Sequence, residues 1–153
     1  MRIAELSLER YGRFQGHQLV LPHRDQDFHL IYGPNEAGKT TTLCALADLL
    51  FGFEHRVSHD YRFSAPTLRV GAVLEAGGER LPCRRRRGRA GTLVDAADAP
   101  IDEGRLIAMI GGVSRDAFLQ SSGSVAKIVK LEHAWRRLDG RNDDGFQVAP
   151  FPG

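Results

Sequence analysis

Polar and apolar positions alternate from the start of the chain. Ile3, Leu6 and Leu8 sit among polar neighbours, the pattern of a half-buried strand that stops at the turn-like Tyr11-Gly12-Arg13-Phe14. A second short strand is predicted at 18–21, ended by Pro22. Residues 27–32 bring Phe28, Leu30, Ile31 and Tyr32 together, a run that fits a strand covered on both faces. Gly33-Pro34-Asn35-Glu36-Ala37-Gly38 cannot continue it. The helical period takes over at 39–51, with Leu43, Leu46, Ala47 and Leu50 on one stripe and Gly52 closing the helix.

Further along, Leu68, Val70, Ala72 and Leu74 alternate within 67–75, and 79–85 reads as the partner strand across an Ala76-Gly77-Gly78 turn. Residues 92–94 predict a third short strand. A helix is expected over 102–110, ended by Gly111-Gly112, and Ser114 is placed to cap another through Gln120. Ser121-Ser122-Gly123-Ser124 resembles a linker. Val125, Ile128, Val129, Leu131, Trp135 and Leu138 then fall at near-helical spacing, and 139–153 has no periodicity and is expected to be disordered. The expected organisation is one lobe over 1–120 and a divergent tail over 121–153, with a helix at 125–138.

Composition changes this picture little. The 153 residues are 42% hydrophobic and 26% charged, ordinary for a globular chain, and a net charge of +2 does not by itself demand a nucleic-acid partner. Two cysteines, Cys44 and Cys83, give no disulfide framework, and six histidines without metal-type spacing predict no zinc site. The N-terminus lacks the apolar core of a signal peptide, and no apolar run approaches a membrane span. The expectation is a cytoplasmic protein with no membrane partner.

The candidate chemistry is concentrated at Gly33-Pro34-Asn35-Glu36-Ala37-Gly38-Lys39-Thr40, which matches G-x-x-x-x-G-K-[ST] without a gap. A polyanion binds where several backbone N–H groups converge, and glycines adopt the dihedrals that aim them. The helix that follows adds its unsatisfied amides and positive dipole end. Lys39 is placed to reach the β- and γ-phosphates, Thr40 to ligate Mg²⁺ and Thr41 to touch the α-phosphate. Four fixed positions recur by chance in roughly one chain of this length in two hundred. The apolar strand before the loop and the helix after it make chance a poorer explanation still. ATP and Mg²⁺ are therefore the expected cofactors.

Tyr11-Gly12-Arg13-Phe14 followed by Leu30-Ile31-Tyr32-Gly33-Pro34-Asn35-Glu36-Ala37-Gly38-Lys39-Thr40-Thr41 resembles the SMC-like repair ATPases of the SbcC type. The closer likeness is to the YhaN-type AAA ATPases, through Leu50-Phe51-Gly52, the stretch Leu68-Arg69-Val70-Gly71-Ala72, an arginine-rich strand, and Gly111-Gly112-Val113-Ser114-Arg115-Asp116-Ala117-Phe118. The resemblance covers about residues 1–120 and implies a partial ABC/SMC-like head: an α/β P-loop NTPase N-terminal lobe with an antiparallel sheet layer. It also implies a distant C-terminal ATPase segment, a second head, and action on DNA beside a nuclease subunit. Related ATPases use the segment of Arg10, Tyr11 and Arg13 on the base and ribose side, whereas simple core packing is the alternative for Tyr11.

Some family features are missing. Hydrolysis calls for a carboxylate ending an apolar strand, and Asp95 after Leu93-Val94 has only two apolar residues before it, so the catalytic acid is left unassigned. Gly111-Gly112 lacks the preceding serine of the family's signature loop and reads as a helix stop, and Gln120 is given no role. The expectation is a truncated or frameshifted family member, or its front half. Arg84, Arg85, Arg86, Arg87 and Arg89 form a positive run that would contact DNA phosphates or else face solvent near Asp95, Asp98, Asp102 and Glu103. The 125–138 segment would be a partner-binding helix, a coiled-coil stub or out-of-frame sequence. Cys44 is expected to be a packed small residue. Three functions are carried forward: an SMC-like ATPase in DNA repair or DNA-end processing, a nucleotide-binding module without efficient turnover, and a small P-loop kinase.

Overall fold

The computed structural model describes residues 1–23, 29–34, 36–56, 59–125 and 147–150. Its elements are β1 (Arg2–Tyr11), β2 (Phe14–Val20), β3 (His29–Tyr32), α1 (Lys39–Phe51), β4 (Arg69–Ala76), β5 (Glu79–Arg86), β6 (Leu93–Val94), α2 (Glu103–Ile110), α3 (Arg115–Val125) and β7 (Gln147–Pro150). Five strands form one sheet in the order β2-β1-β4-β5-β6, every neighbouring pair antiparallel. β3 lies in a separate pair, antiparallel to β7.

Alternation builds the core. Leu6 and Leu8 of β1, Val70, Ala72 and Leu74 of β4, and Leu81 and Cys83 of β5 are buried on one face of the sheet. Ala45, Leu49 and Leu50 of α1 and Leu106 and Met109 of α2 belong to the same cluster. Two tight turns hold the register. Gly12 (φ 57°) opens the two-residue turn between β1 and β2, and Gly77 and Gly78 (φ 57° and 82°) make the β4–β5 turn, whose hand requires positive φ at both positions.

The structure departs from the sequence expectations in three places. The buried positions of α1 are Thr42, Ala45, Ala47, Asp48, Leu49 and Leu50, whereas Leu43 and Leu46 are only half-buried. The stripe is turned because Ala45 allows close approach and Asp48 finds partners inside. The linker-like 121–124 is helical, continuing α3, which Ser114 begins by accepting from the Ala117 amide at 3.2 Å. Residues 147–150 pair with β3 in a stretch without sequence periodicity, since backbone pairing needs no side-chain pattern. The predicted helix at 125–138 lies outside the described residues apart from Val125, as do Asp27 and Phe28.

Candidate functional site

Among the described residues between β3 and α1 the backbone leaves ordinary dihedral space at Glu36 (φ 68°) and at Gly38 (φ 103°). Gly38 is enforced by packing as well as by φ. A Cβ there would stand 2.3 Å from Cζ of Phe14, so the β2 ring forms the floor on which the loop lies. The buried Ala37 donates its amide to the Pro34 carbonyl at 3.2 Å, and Arg13 donates to the Glu36 carbonyl at 2.6 Å. The β1–β2 turn and the loop are thereby tied together.

The Lys39 ammonium curls back over the loop, donating to the carbonyls of Gly33 and Pro34. Thr42 donates its hydroxyl to the Gly38 carbonyl at 3.0 Å, fastening the first turn of α1. That turn has neither a side-chain cap nor an acidic residue, so its positive dipole end meets an anion without a competing negative charge. Thr40 is exposed and Thr41 half-buried. Asn35 lies outside the described residues.

These residues fit a phosphate chain. The positive φ values orient the loop, the Phe14 floor denies space to any side chain at 38, and lysine and helix dipole carry the same sign. For a divalent cation the loop offers the Thr40 hydroxyl, and no group of three or more His, Cys, Asp or Glu is found among the described residues.

The remaining candidates are distributed differently. Tyr11 is fully buried and donates to Asp48 Oδ2 at 2.6 Å, so it belongs to the core; burial and the Asp48 carboxylate push its hydroxyl far above its ordinary range. Arg10 and Arg13 are exposed. The Asp95 carboxylate accepts from the amides of Ala97 and Ala99 at 2.8 and 3.0 Å, a turn-closing role beside β6. Gly111 (φ 70°) ends α2, with its amide on the Ile107 carbonyl. Gln120 is exposed on α3. Cys44 is half-buried, and burial pushes its thiol up; Cys83 is pushed up to about 11 for the same reason.

The arginine run is not one patch. Arg85 is buried at 2%, paired with Glu103 and donating to the Leu49 carbonyl and the Thr92 hydroxyl. Arg84 pairs with Glu9, Arg86 reaches the Gly91 carbonyl, Arg87 donates to the His55 carbonyl, and Arg89 is exposed. A second grouping replaces it. Arg10 stands opposite Arg69, and Arg69 opposite Arg86, so three adjacent strands present a row of arginines on one face. Asp98 answers Arg69 at 2.9 Å.

Sequence reasoning missed a buried ionic network. Asp48, 5% exposed, receives Tyr11 and, at 2.6 Å, the guanidinium of Arg115, which also donates to the Gly52 carbonyl at 2.9 Å and lies 3.2 Å from Glu54. An acid among helix apolar residues was the available signal; its partners are remote in sequence.

A glycine-shaped loop that wraps a lysine and opens onto a helix N-terminus is the arrangement expected of an ATPase-type nucleotide-binding domain. The family described as "AAA domain" matches residues 1–127, and the chain belongs to it. No curated protein and no solved structure matches the chain. No described helix is long and apolar enough to cross a membrane.

Proposed function

We propose that this chain binds MgATP at the 33–41 loop and α1, as an AAA/SMC-like ATPase related to the YhaN and SbcC types. The observation that carries the reading is the Gly38–Phe14 contact combined with Lys39 folded over the loop. Phosphate oxygens would lie against the loop amides and the first turn of α1, with Lys39 moving from carbonyl to phosphate and Arg13 bracing the loop through the Glu36 carbonyl. The Thr40 hydroxyl would hold Mg²⁺, which would neutralise charge on the phosphates.

Turnover needs an acid to position water, and two candidates for the role, Asp48 and Asp95, are engaged elsewhere. Asp48 is buried between Tyr11 and Arg115, and Asp95 closes its own turn. We therefore read the described residues as a nucleotide-binding module with little turnover, completed by an acid from a C-terminal ATPase segment or a second head. The arginine row favours DNA as the larger substrate, in repair or end processing, with a nuclease subunit as the associated activity.

Calorimetry with MgATP, for the full chain and for Lys39→Ala, tests the reading, with phosphate release followed in parallel. Binding by the wild type that falls at least about tenfold in the variant is expected, a loss of ~1.4 kcal/mol or more, with phosphate release at background. Equal binding by both chains would sink it.

A further inference from the structure

Tyr61 is a large aromatic side chain left 65% exposed. Its surroundings are ordered on both sides. Before it, the His59 carbonyl accepts from the Gly12 amide at 3.0 Å. After it, Arg62 donates to the Arg13 carbonyl at 2.6 Å, and its guanidinium lies 5.3 Å from the Phe63 ring centroid. The segment is thus pinned to the β1–β2 turn, the same turn whose Arg13 braces the loop at Glu36.

Gly12 locates the ring. A Cβ on Gly12 would lie 2.6 Å from Cγ2 of Thr41 and 3.0 Å from the Tyr61 hydroxyl oxygen, so the phenol and the first turn of α1 close over one point. Thr41 follows Lys39 and Thr40, on the α-phosphate side of a bound triphosphate. The base is one ribose beyond that phosphate. An exposed ring whose hydroxyl end meets Gly12 beside Thr41 stands within that reach, whereas Tyr11, the aromatic residue that resemblance assigns to this side, is buried in the core.

We propose that Tyr61 is the stacking platform for the base of a nucleotide whose phosphates occupy the 33–41 loop. This rests on the reading of that loop as a phosphate site. Aromatic stacking is tolerant of base identity, so the platform adds affinity for a nucleoside moiety without selecting one base.

The test uses the full chain and two ligands, MgATP and magnesium tripolyphosphate, which share the phosphate chain but not the base. In calorimetry, Tyr61→Ala is expected to weaken MgATP by roughly ten- to a hundredfold while leaving tripolyphosphate within about twofold; Tyr61→Phe keeps the ring and binds like the wild type. Lys39→Ala weakens both ligands. If Tyr61→Ala weakens neither ligand, or both alike, the platform is overturned while the phosphate site stands. If the wild type binds neither ligand, the phosphate site itself is overturned, and the platform with it. Thermal unfolding of Tyr61→Ala at the wild-type midpoint is expected, because the ring it removes is exposed.

Discussion

The Tyr11 ring has an aromatic neighbour in His59, at 5.1 Å between centroids. Burial lowers the affinity of that imidazole for a proton below its ordinary 6.5, with the Asp48 and Asp60 carboxylates pulling the other way. The unfolded chain binds the proton more readily, so stability present above pH ~6.5 is lost as the pH falls through the lower folded value. Urea unfolding between pH 8 and 5 should therefore show a steeper loss below pH ~6.5 for the wild type than for His59→Gln. Parallel curves would mean that His59 contributes nothing to the loss. Gly38 illustrates the opposite kind of residue, one whose requirement was legible: the G-x-x-x-x-G-K pattern demanded a glycine there, and the structure adds that Phe14 fills the space a Cβ would take.

Helix α3 is fastened to α1 chiefly through Arg115. Its guanidinium meets Asp48, lies by Glu54 and caps the Gly52 carbonyl beyond an α1 that has no basic residue in its last turn. A cation there also suits the helix dipole. Arg115→Ala strips the buried Asp48 of its cationic partner and is expected to destabilise the fold by about 3 kcal/mol, the low end for broken buried pairs because Tyr11 still donates. Hydrogen exchange should quicken first in α3; unchanged protection there would show that apolar contacts, such as Phe51 with Phe118 at 5.7 Å, suffice. At this scale most elements were legible. Alternation located β1, β4 and β5, glycine pairs located the β4–β5 turn and the end of α2, and the helical period gave the bounds of α1. What escaped was which face α1 buries, because Asp48 is admitted by residues 37 positions before it and 67 after it in the chain.

Over the whole molecule, the linear arginine run gives way to a row across strands, which a sequence cannot display because register is a property of pairing. Arg10, Arg69 and Arg86 stand about 5 Å apart from strand to strand. Like charges placed directly opposite one another oppose pairing, and Asp98 offsets part of that. If the row tracks a DNA backbone, Arg10→Ala and Arg86→Ala each weaken duplex binding and lower the slope of log affinity against log salt by about 1. Arg80→Ala, at the far end of β5, leaves both unchanged. Equal slopes in all three variants, measured by fluorescence anisotropy, would remove the row from any DNA surface. The Lys39 ammonium has a different consequence for the molecule. Lodged between the Gly33 and Pro34 carbonyls, it ties the start of the loop to the start of α1 within the folded chain itself. To the extent that this tie orders the loop before binding, an arriving anion exchanges contacts with Lys39 and pays less of the ordering entropy.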